Sequence, residues 1–203
     1  QPDWSNPMTR PTLIVFARRP AIGVGKTRLA HDLGAVETWR FYRGLSRSLL
    51  FKLSDPRWRI VVRMAGGHRP MPDWPAGVRV EPQGRGDLGL KLQRALRGHS
   101  SAEVAVIGTD APDMTRALIA QGFGLARRHG VALGPATDGG FWLLALSSKR
   151  ARTVRLDPDI RWSHPMTLSD TEAALGGQSG RVTTLSDIDD LSDLRAWRGR
   201  QRR

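Results

Sequence analysis

The 203-residue sequence predicts an α/β fold, a single domain in which a mainly parallel mixed sheet is covered on both faces by helices to give three layers. Short β-rich apolar runs alternate with longer helical patterns along the chain. The length suits one domain and is enough to bury a proper core. Hydrophobic residues at 39% and charged residues at 25% are those of an ordinary globular protein.

Taken in order, "TLIVFA" (12–17) reads as a buried strand. "AVETWRFYRGLSRSLLFKL" (35–53) reads as a helix, because Trp39, Tyr42, Leu45, Leu49 and Leu53 recur at intervals of three and four. "WRIVVRM" (58–64) is the next strand, followed by the Pro/Gly-rich loop "GGHRPMPDWPAG". A short strand at 78–81 leads into "DLGLKLQRALRG", a helix with Leu88, Leu92 and Leu96 on one face. "EVAVIG" (103–108) reads as a central strand, "TRALIAQGFGLARRHG" as a helix and "VALGPA" as another strand. "FWLLAL" (141–146) follows so closely that it is expected to pair with a different neighbour. The last third holds a helix near 165–176, a strand "RVTTL" and a terminal helix from about 189. Residues 1–10 are expected to be a flexible extension, 11–198 the domain and 199–203 a basic tail.

The net charge of +13 is the unusual number. It invites a nucleic-acid or membrane-surface role, since clustered cations release counterions from polyanions. Only Lys26, Lys52, Lys91 and Lys149 of the 32 basic residues are lysines, and the arginines are scattered except in "RAWRGRQRR" (195–203). Scatter of this kind fits an arginine-biased composition better than a binding face. No RNP-like strand or helix-turn-helix pattern supports nucleic acid. The apolar runs are too short to span a bilayer and none follows a basic start as in a signal peptide, so a cytoplasmic protein without a membrane partner is expected. The chain has no cysteine, which excludes disulfides and thiolate metal sites.

In open α/β sheets ligands bind beyond the carboxyl ends of the strands, so the loops after "TLIVFA", "EVAVIG" and "VALGPA" carry the information. The first, "RRPAIGVGKTRLA" (18–30), fails the P-loop spacing, because the glycine required at position 20 is Pro20, which has no amide to donate. What survives is an anion site. Arg18, Arg19, Lys26 and Arg28 flank a turn bearing Gly23 and Gly25, with helix amides starting near Lys26 and Thr27. Lys26 and Arg28 are expected to be exposed at the sheet edge.

The second loop, "TDAPDM", puts Asp110 at a strand end, where a carboxylate can hold a hard divalent cation against phosphate oxygens. Asp113 is expected to cap the helix beginning at Thr115. In "GPATDGGFWLLAL", Asp138 precedes Gly139 and Gly140, a pair that admits close ligand approach and also makes ordinary hairpin turns. In "SDIDDLSDL" Asp187, Asp189 and Asp190 cluster before the last helix, and at least one is expected to cap it. The five histidines (31, 68, 99, 129, 164) show no metal-ligand spacing.

The ordered set "FARRPAIGVGKTRLA", "GDLGLKL", "IGTDAPDM", "GPATDGGFWLLAL" and "DIDDLSDL" resembles the small bacterial candidate glycosyltransferases linked to arsenosugar and radical-SAM gene clusters, members of the nucleotide-diphospho-sugar transferase superfamily. The match runs from about residue 12 to 197. "KTRLA" and the Asp-x-Pro element are also similar to the guanylyltransferases acting on phospholactate and on the molybdenum cofactor. The resemblance implies a GT-A-like (Rossmann-like) fold, donor phosphates on residues 18 to 28, and Mg²⁺ (or Mn²⁺) on Asp110. Asp138 or the 187–190 cluster, through Asp187, is expected to complete the metal site from across the cleft, with Asp138, Gly139 and Gly140 facing substrate. The chain departs from those families in Pro20-Ala-Ile-Gly-Val-Gly, which replaces a Gly-rich start, and in lacking an Asp-x-Asp motif.

A metal-dependent transferase with a nucleotide donor is therefore the leading reading, with Lys26 and Asp110 as its central residues. The donor is an NDP-sugar with glycosyl transfer to a small-molecule acceptor, or alternatively an NTP with nucleotidyl transfer to a small phosphorylated acceptor and release of pyrophosphate. The family likeness favours the first, while four cations in one loop suit the second. A basic nucleic-acid-binding module and a non-catalytic relative are the other readings. Acceptor specificity is expected in the loop 65–77 and the segment 157–172.

Overall fold

The structure, a computed structural model, describes residues 10–67, 69–156 and 159–201. Nine of the ten residues expected to form the extension lie outside the described part, as do Arg202 and Arg203. In chain order the elements are β1 (Thr12–Arg18), α1 (Thr27–Leu33), α2 (Ala35–Leu53), β2 (Arg59–Ala65), β3 (Arg79–Pro82), α3 (Leu88–Gly98) and β4 (Val104–Ile107). There follow α4 (Arg116–His129), β5 (Val131–Pro135), β6 (Phe141–Leu146), α5 (Ser148–Thr153), α6 (Thr167–Ala174), β7 (Gly180–Arg181) and α7 (Leu191–Gln201). Residues 199–201 of the expected tail thus belong to α7.

These strands form one seven-stranded sheet in the order β3-β2-β1-β4-β6-β5-β7. The pairs β3–β2, β2–β1 and β1–β4 are parallel, as is β5–β7, whereas β6 runs antiparallel to both β4 and β5. β6 therefore does take a new neighbour, β4, but contrary to expectation it also closes a hairpin with β5 through the Asp138-Gly139-Gly140 turn. After β3 the chain crosses back over β1 to begin β4 on its other side. The point where the order reverses, between β1 and β4, leaves a crevice beyond two parallel carboxyl ends.

Side chains alternate across β1. Leu13, Val15 and Ala17 join Leu49, Leu50 and Leu53 of α2 and Ile119, Phe123 and Ala126 of α4 in one buried layer. On the other face Ile14 meets Leu92, Ala95 and Leu96 of α3, Ala151 of α5 and the β4 and β6 side chains Val104, Val106, Leu144 and Leu146. The α3 stripe is shorter than the sequence predicts, since Leu88 is 41% exposed. It is the first residue of the helix and lines a cavity at the strand ends instead of the core. The run "RVTTL" yields only Arg181 of the two-residue β7 and one bridge, Leu185 to Ala136, although Val182 and Leu185 still donate to the Leu133 and Pro135 carbonyls.

A third, smaller cluster decides the site. Leu29 of α1, Ile188 and Leu194 of α7 are buried together, with Leu33, Leu191 and Trp197 packed on them. Ile188 donates its N–H to the Asp110 carbonyl at 2.9 Å. One apolar side chain thus anchors the segment 187–190 beside the end of β4, and the acids on either side of it are left facing the crevice.

Candidate functional site

Beyond β1 the chain passes through Gly23 and Gly25, both at φ +76°, and Lys26, at φ 49° and ψ 45°, before α1 begins with no side-chain cap. This left-handed run is why glycines stand there. Lys26 is not exposed, contrary to expectation. Its side chain is 9% exposed, and Nζ lies 2.8 Å from Asp110 Oδ1 and 2.9 Å from Asp189 Oδ1 while donating to the Ile188 carbonyl at 2.5 Å. Burial pulls its pKa down, but the charges and hydrogen bonds of Asp110 and Asp189 outweigh that, and the ammonium is held above its ordinary value.

Asp187 is in the opposite condition. Burial first, then the neighbouring carboxylates of Asp110, Asp138 and Asp189, push its carboxyl up to about 7, with Lys26 pulling the other way. Four aspartates from three different loops therefore share one electrostatic site. Among the described residues no three His, Asp or Glu side chains converge as a ready metal cage. Crowded carboxylates of this kind still fit a divalent ion, since Mg²⁺ takes only one or two protein ligands and completes its shell from phosphate and water.

Two cavities meet at this edge, and Phe16 of β1 lines both. The first, about 390 Å³, is lined among others by Arg18, Gly25, Lys26, Thr27, Arg28, Asp110 and Asp189. Its back wall is a polar chain in which the Arg18 N–H donates to Tyr42 Oη at 3.2 Å and that hydroxyl lies 3.1 Å from Thr109 Oγ1. Gln83 closes the side, donating Nε2 to the carbonyls of Ala17 and Arg63 at 3.1 Å each. The second cavity, about 200 Å³, is walled by Leu88, Leu92, Phe141, Trp142 and Trp162 and edged by Asp138, Asp187, His164 and Thr167.

Not every expected residue arrives. Gly23 and Arg19 line neither cavity, and Arg19 instead lies along Gly66 and Gly67, filling the space a Cβ at 67 would need. Asp113 is not a cap. Thr115 caps α4 through the Leu118 N–H, while Asp113 accepts from Trp197, Arg200 and Gln201 of α7. Asp190 is the predicted cap, accepting from the Ser192 and Asp193 amides.

The Gly139–Gly140 pair has a packing reason. Gly139 sits at φ +87°, and a Cβ there would lie 2.1 Å from the Pro165 carbonyl oxygen. Its own carbonyl accepts from Leu168, and Asp138 accepts from the Gly140 N–H at 2.8 Å. Gly140 and Asp138 line the second cavity, and Gly139 does not.

Segment 157–172 supplies Trp162, Ser163, His164 and Thr167 to the second cavity, whereas the loop 65–77 lines neither among its described residues. Asp157 and Pro158 lie outside the described residues. The rim is fixed from within: Thr167 Oγ1 donates to the Arg161 or His164 carbonyl, and Asp170 takes the Arg161 guanidinium at 2.8 Å. His164 Nδ1 accepts from the Met166 N–H at 3.1 Å, so in the neutral ring Nε2 carries the proton. Tyr42, Gln83 and Thr109 had no signal beyond core or turn positions, and Trp162 and His164 lie within the segment 157–172 expected to set acceptor specificity, with nothing in their local sequence to single them out.

The family described as "Uncharacterized protein conserved in bacteria (DUF2064)" matches residues 50–164. The chain belongs to this family. The DUF2064 span includes Asp110, Asp138, Trp162 and His164, and the basic loop and the 187–190 acids lie on either side of it. A search of curated proteins found no match. Among solved structures, the fold is shared with a candidate nucleotide-diphospho-sugar transferase of Desulfovibrio desulfuricans, at 21% identity and a TM-score of 0.82, covering 93% of this chain and 86% of that one. It is also shared with the 4-diphosphocytidyl-2C-methyl-D-erythritol synthase of Anaerococcus prevotii, at 9% identity and a TM-score of 0.59, covering 97% and 100%. The 2-C-methyl-D-erythritol 4-phosphate cytidylyltransferase of Thermus thermophilus matches at 17% identity and a TM-score of 0.52, covering 96% and 100%. At these identities the likeness is one of fold, a single α/β domain with a mainly parallel mixed sheet. Among the described residues no helix is long and apolar enough to cross a membrane.

Proposed function

We propose that this DUF2064 protein is a metal-dependent transferase with a nucleotide donor, transferring a glycosyl group from an NDP-sugar to a small acceptor. The observation that carries this is the cavity at the β1/β4 reversal, where Arg18, Lys26 and Arg28 stand opposite Asp110 and beside a second, separately lined cavity. The first would hold the donor and the second the acceptor, with the reacting atoms meeting near Phe16. Arg18 and Arg28 bind the donor phosphates by charge, and the Tyr42–Thr109 pair keeps the end of β1 in place behind them. Lys26 holds Asp110 and Asp189 at a fixed separation and brings a positive charge to the leaving phosphate. Where Asp138 rather than Asp187 completes the metal site, the Asp187 carboxylate at the edge of the second cavity is placed to take the proton of an acceptor hydroxyl. Asp110, with Asp187 or Asp138, would hold Mg²⁺ or Mn²⁺, which when bound neutralises charge on the leaving diphosphate.

Glycosyl transfer is preferred to nucleotidyl transfer because the loop offers fewer uncommitted cations than its sequence promises. Lys26 is engaged by two carboxylates and Arg19 lies away on Gly66 and Gly67. What remains suits a diphosphate better than a triphosphate. Slow donor breakdown without acceptor tests the reading. NDP release from an NDP-sugar, dependent on divalent metal and lost in Asp110→Asn, is expected. Pyrophosphate release from an NTP would favour nucleotidyl transfer, and turnover in Asp110→Asn equal to the parent would remove the mechanism.

A further inference from the structure

We infer that the second cavity takes an acceptor with an apolar or aromatic body and a neutral or cationic head, and that it rejects a phosphorylated one. This rests on the transferase reading and names the substrate class on its acceptor side. The walls are hydrocarbon and aromatic, from Leu88, Leu92, Phe141 and Trp162. Phe141 and Trp162 meet edge to face with centroids 6.5 Å apart, a rigid surface for a flat or chain-like group. Trp162 is seated by Gly89 of α3, where a Cβ would come within 3.0 Å of the indole ring.

Across from these walls the edge is acidic. Asp138 and Asp187 both line the cavity, and Asp110 and Asp189 add their field from the adjoining donor cavity. The arginines and the lysine of the site line the donor cavity, and none of the described residues lining the second cavity is Arg or Lys. The one basic side chain there, His164, has its Nδ1 taken by the Met166 amide. An anionic head would sit against the half-buried Asp187 and the exposed Asp138 with no Arg or Lys among the described lining residues to offset them, and like charges separated by a few ångströms repel. A hydroxyl or amine would instead find acceptors in Asp138, Asp187 and the Thr167 hydroxyl.

Three probes with one body and different heads test this: benzyl alcohol, benzylamine and benzyl phosphate. Each is titrated at pH 8 into protein carrying ¹⁵N-labelled tryptophan, and the indole N–H signals of Trp142 and Trp162 are followed, assigned through Trp162→Phe and Trp142→Phe. The expected result is a shift of the Trp162 signal with the amine and the alcohol, with benzyl phosphate at least about tenfold weaker than the alcohol. Asp138→Asn with Asp187→Asn should bring the three together. Added salt should narrow the gap in the unaltered protein, which keeps the test decisive if the double variant does not fold.

Benzyl phosphate binding as well as the alcohol, or no response to any of the three, overturns the inference. Nucleotide binding measured by calorimetry on the same samples reports the donor cavity separately. Retained nucleotide binding with benzyl phosphate preferred removes this inference alone. Intact probe ordering with no nucleotide bound removes the transferase reading alone.

Discussion

Replacing Asp187 by Asn should stabilise the protein, and by an amount that grows with pH. The Asp187 carboxyl is raised from an ordinary 3.8 to about 7, by burial first and by Asp110, Asp138 and Asp189 next. A carboxyl with a raised folded-state value costs nothing while protonated in both states, below pH 4. The cost appears as pH climbs above the unfolded value and is complete once the folded group has ionised, above about pH 7. At ~1.4 kcal/mol per tenfold change in proton affinity, the full penalty is roughly 4 kcal/mol, and relaxation or water entry brings it to about 2–4 kcal/mol. Asn has nearly the same shape and no charge. Urea unfolding in EDTA-containing buffer should therefore show Asp187→Asn gaining on the parent by about 2–3 kcal/mol more at pH 8.5 than at pH 5. A stability difference that does not change with pH would refute the claim that Asp187 is held in a crowded, desolvated acidic site.

The ion-paired lysine behaves differently: Lys26→Ala removes a buried ammonium, yet Asp110 and Asp189 are 43% and 46% exposed and can be rehydrated. A loss of only about 1–2 kcal/mol is expected by chemical denaturation, together with weaker nucleotide binding by calorimetry. Gly139→Ala combines a left-handed φ with a Cβ 2.1 Å from a backbone oxygen. It should cost about 3 kcal/mol or more, lowering Tm by roughly 6–12 °C, and a Tm unchanged by calorimetry would mean the turn is not seated on Pro165.

Much of the fold is legible in the sequence because the strands carry long apolar runs and α2 a strong helical period. "TLIVFA", "FWLLAL" and 35–53 correspond closely to β1, β6 and α2. What escapes is what depends on crossing. Nothing local in "FWLLAL" says that it inserts antiparallel between β4 and β5, since hairpin closure and sheet insertion both use the same apolar face. The loops of the site can be chosen from strand ends alone, and Lys26, Asp110 and Asp187 do come together. Their pairing is invisible, because it depends on one residue, Ile188, burying itself with Leu29 and Leu194 some 160 positions from the first loop. For the same reason Lys26 reads as an exposed cation when its ammonium is buried between Asp110 and Asp189. Arg19 escapes because its neighbour is a glycine pair, Gly66–Gly67, on the adjacent strand's loop.

The central claim is that the Arg18–Lys26–Arg28 cavity is a nucleotide-donor site, and a thermal-shift panel of NTPs and NDP-sugars, each with and without Mg²⁺ or Mn²⁺, tests it most directly. At a hundred times its Kd a bound nucleotide adds about 2.7 kcal/mol, which for a chain of this size is a rise of roughly 5–10 °C. The account predicts such a rise for at least one donor in the presence of metal, with an NDP-sugar ahead of its NTP, and its loss when Arg18 and Arg28 are both replaced by Ala. No stabilisation by any nucleotide under any metal condition, or a rise that survives loss of both arginines, would contradict it.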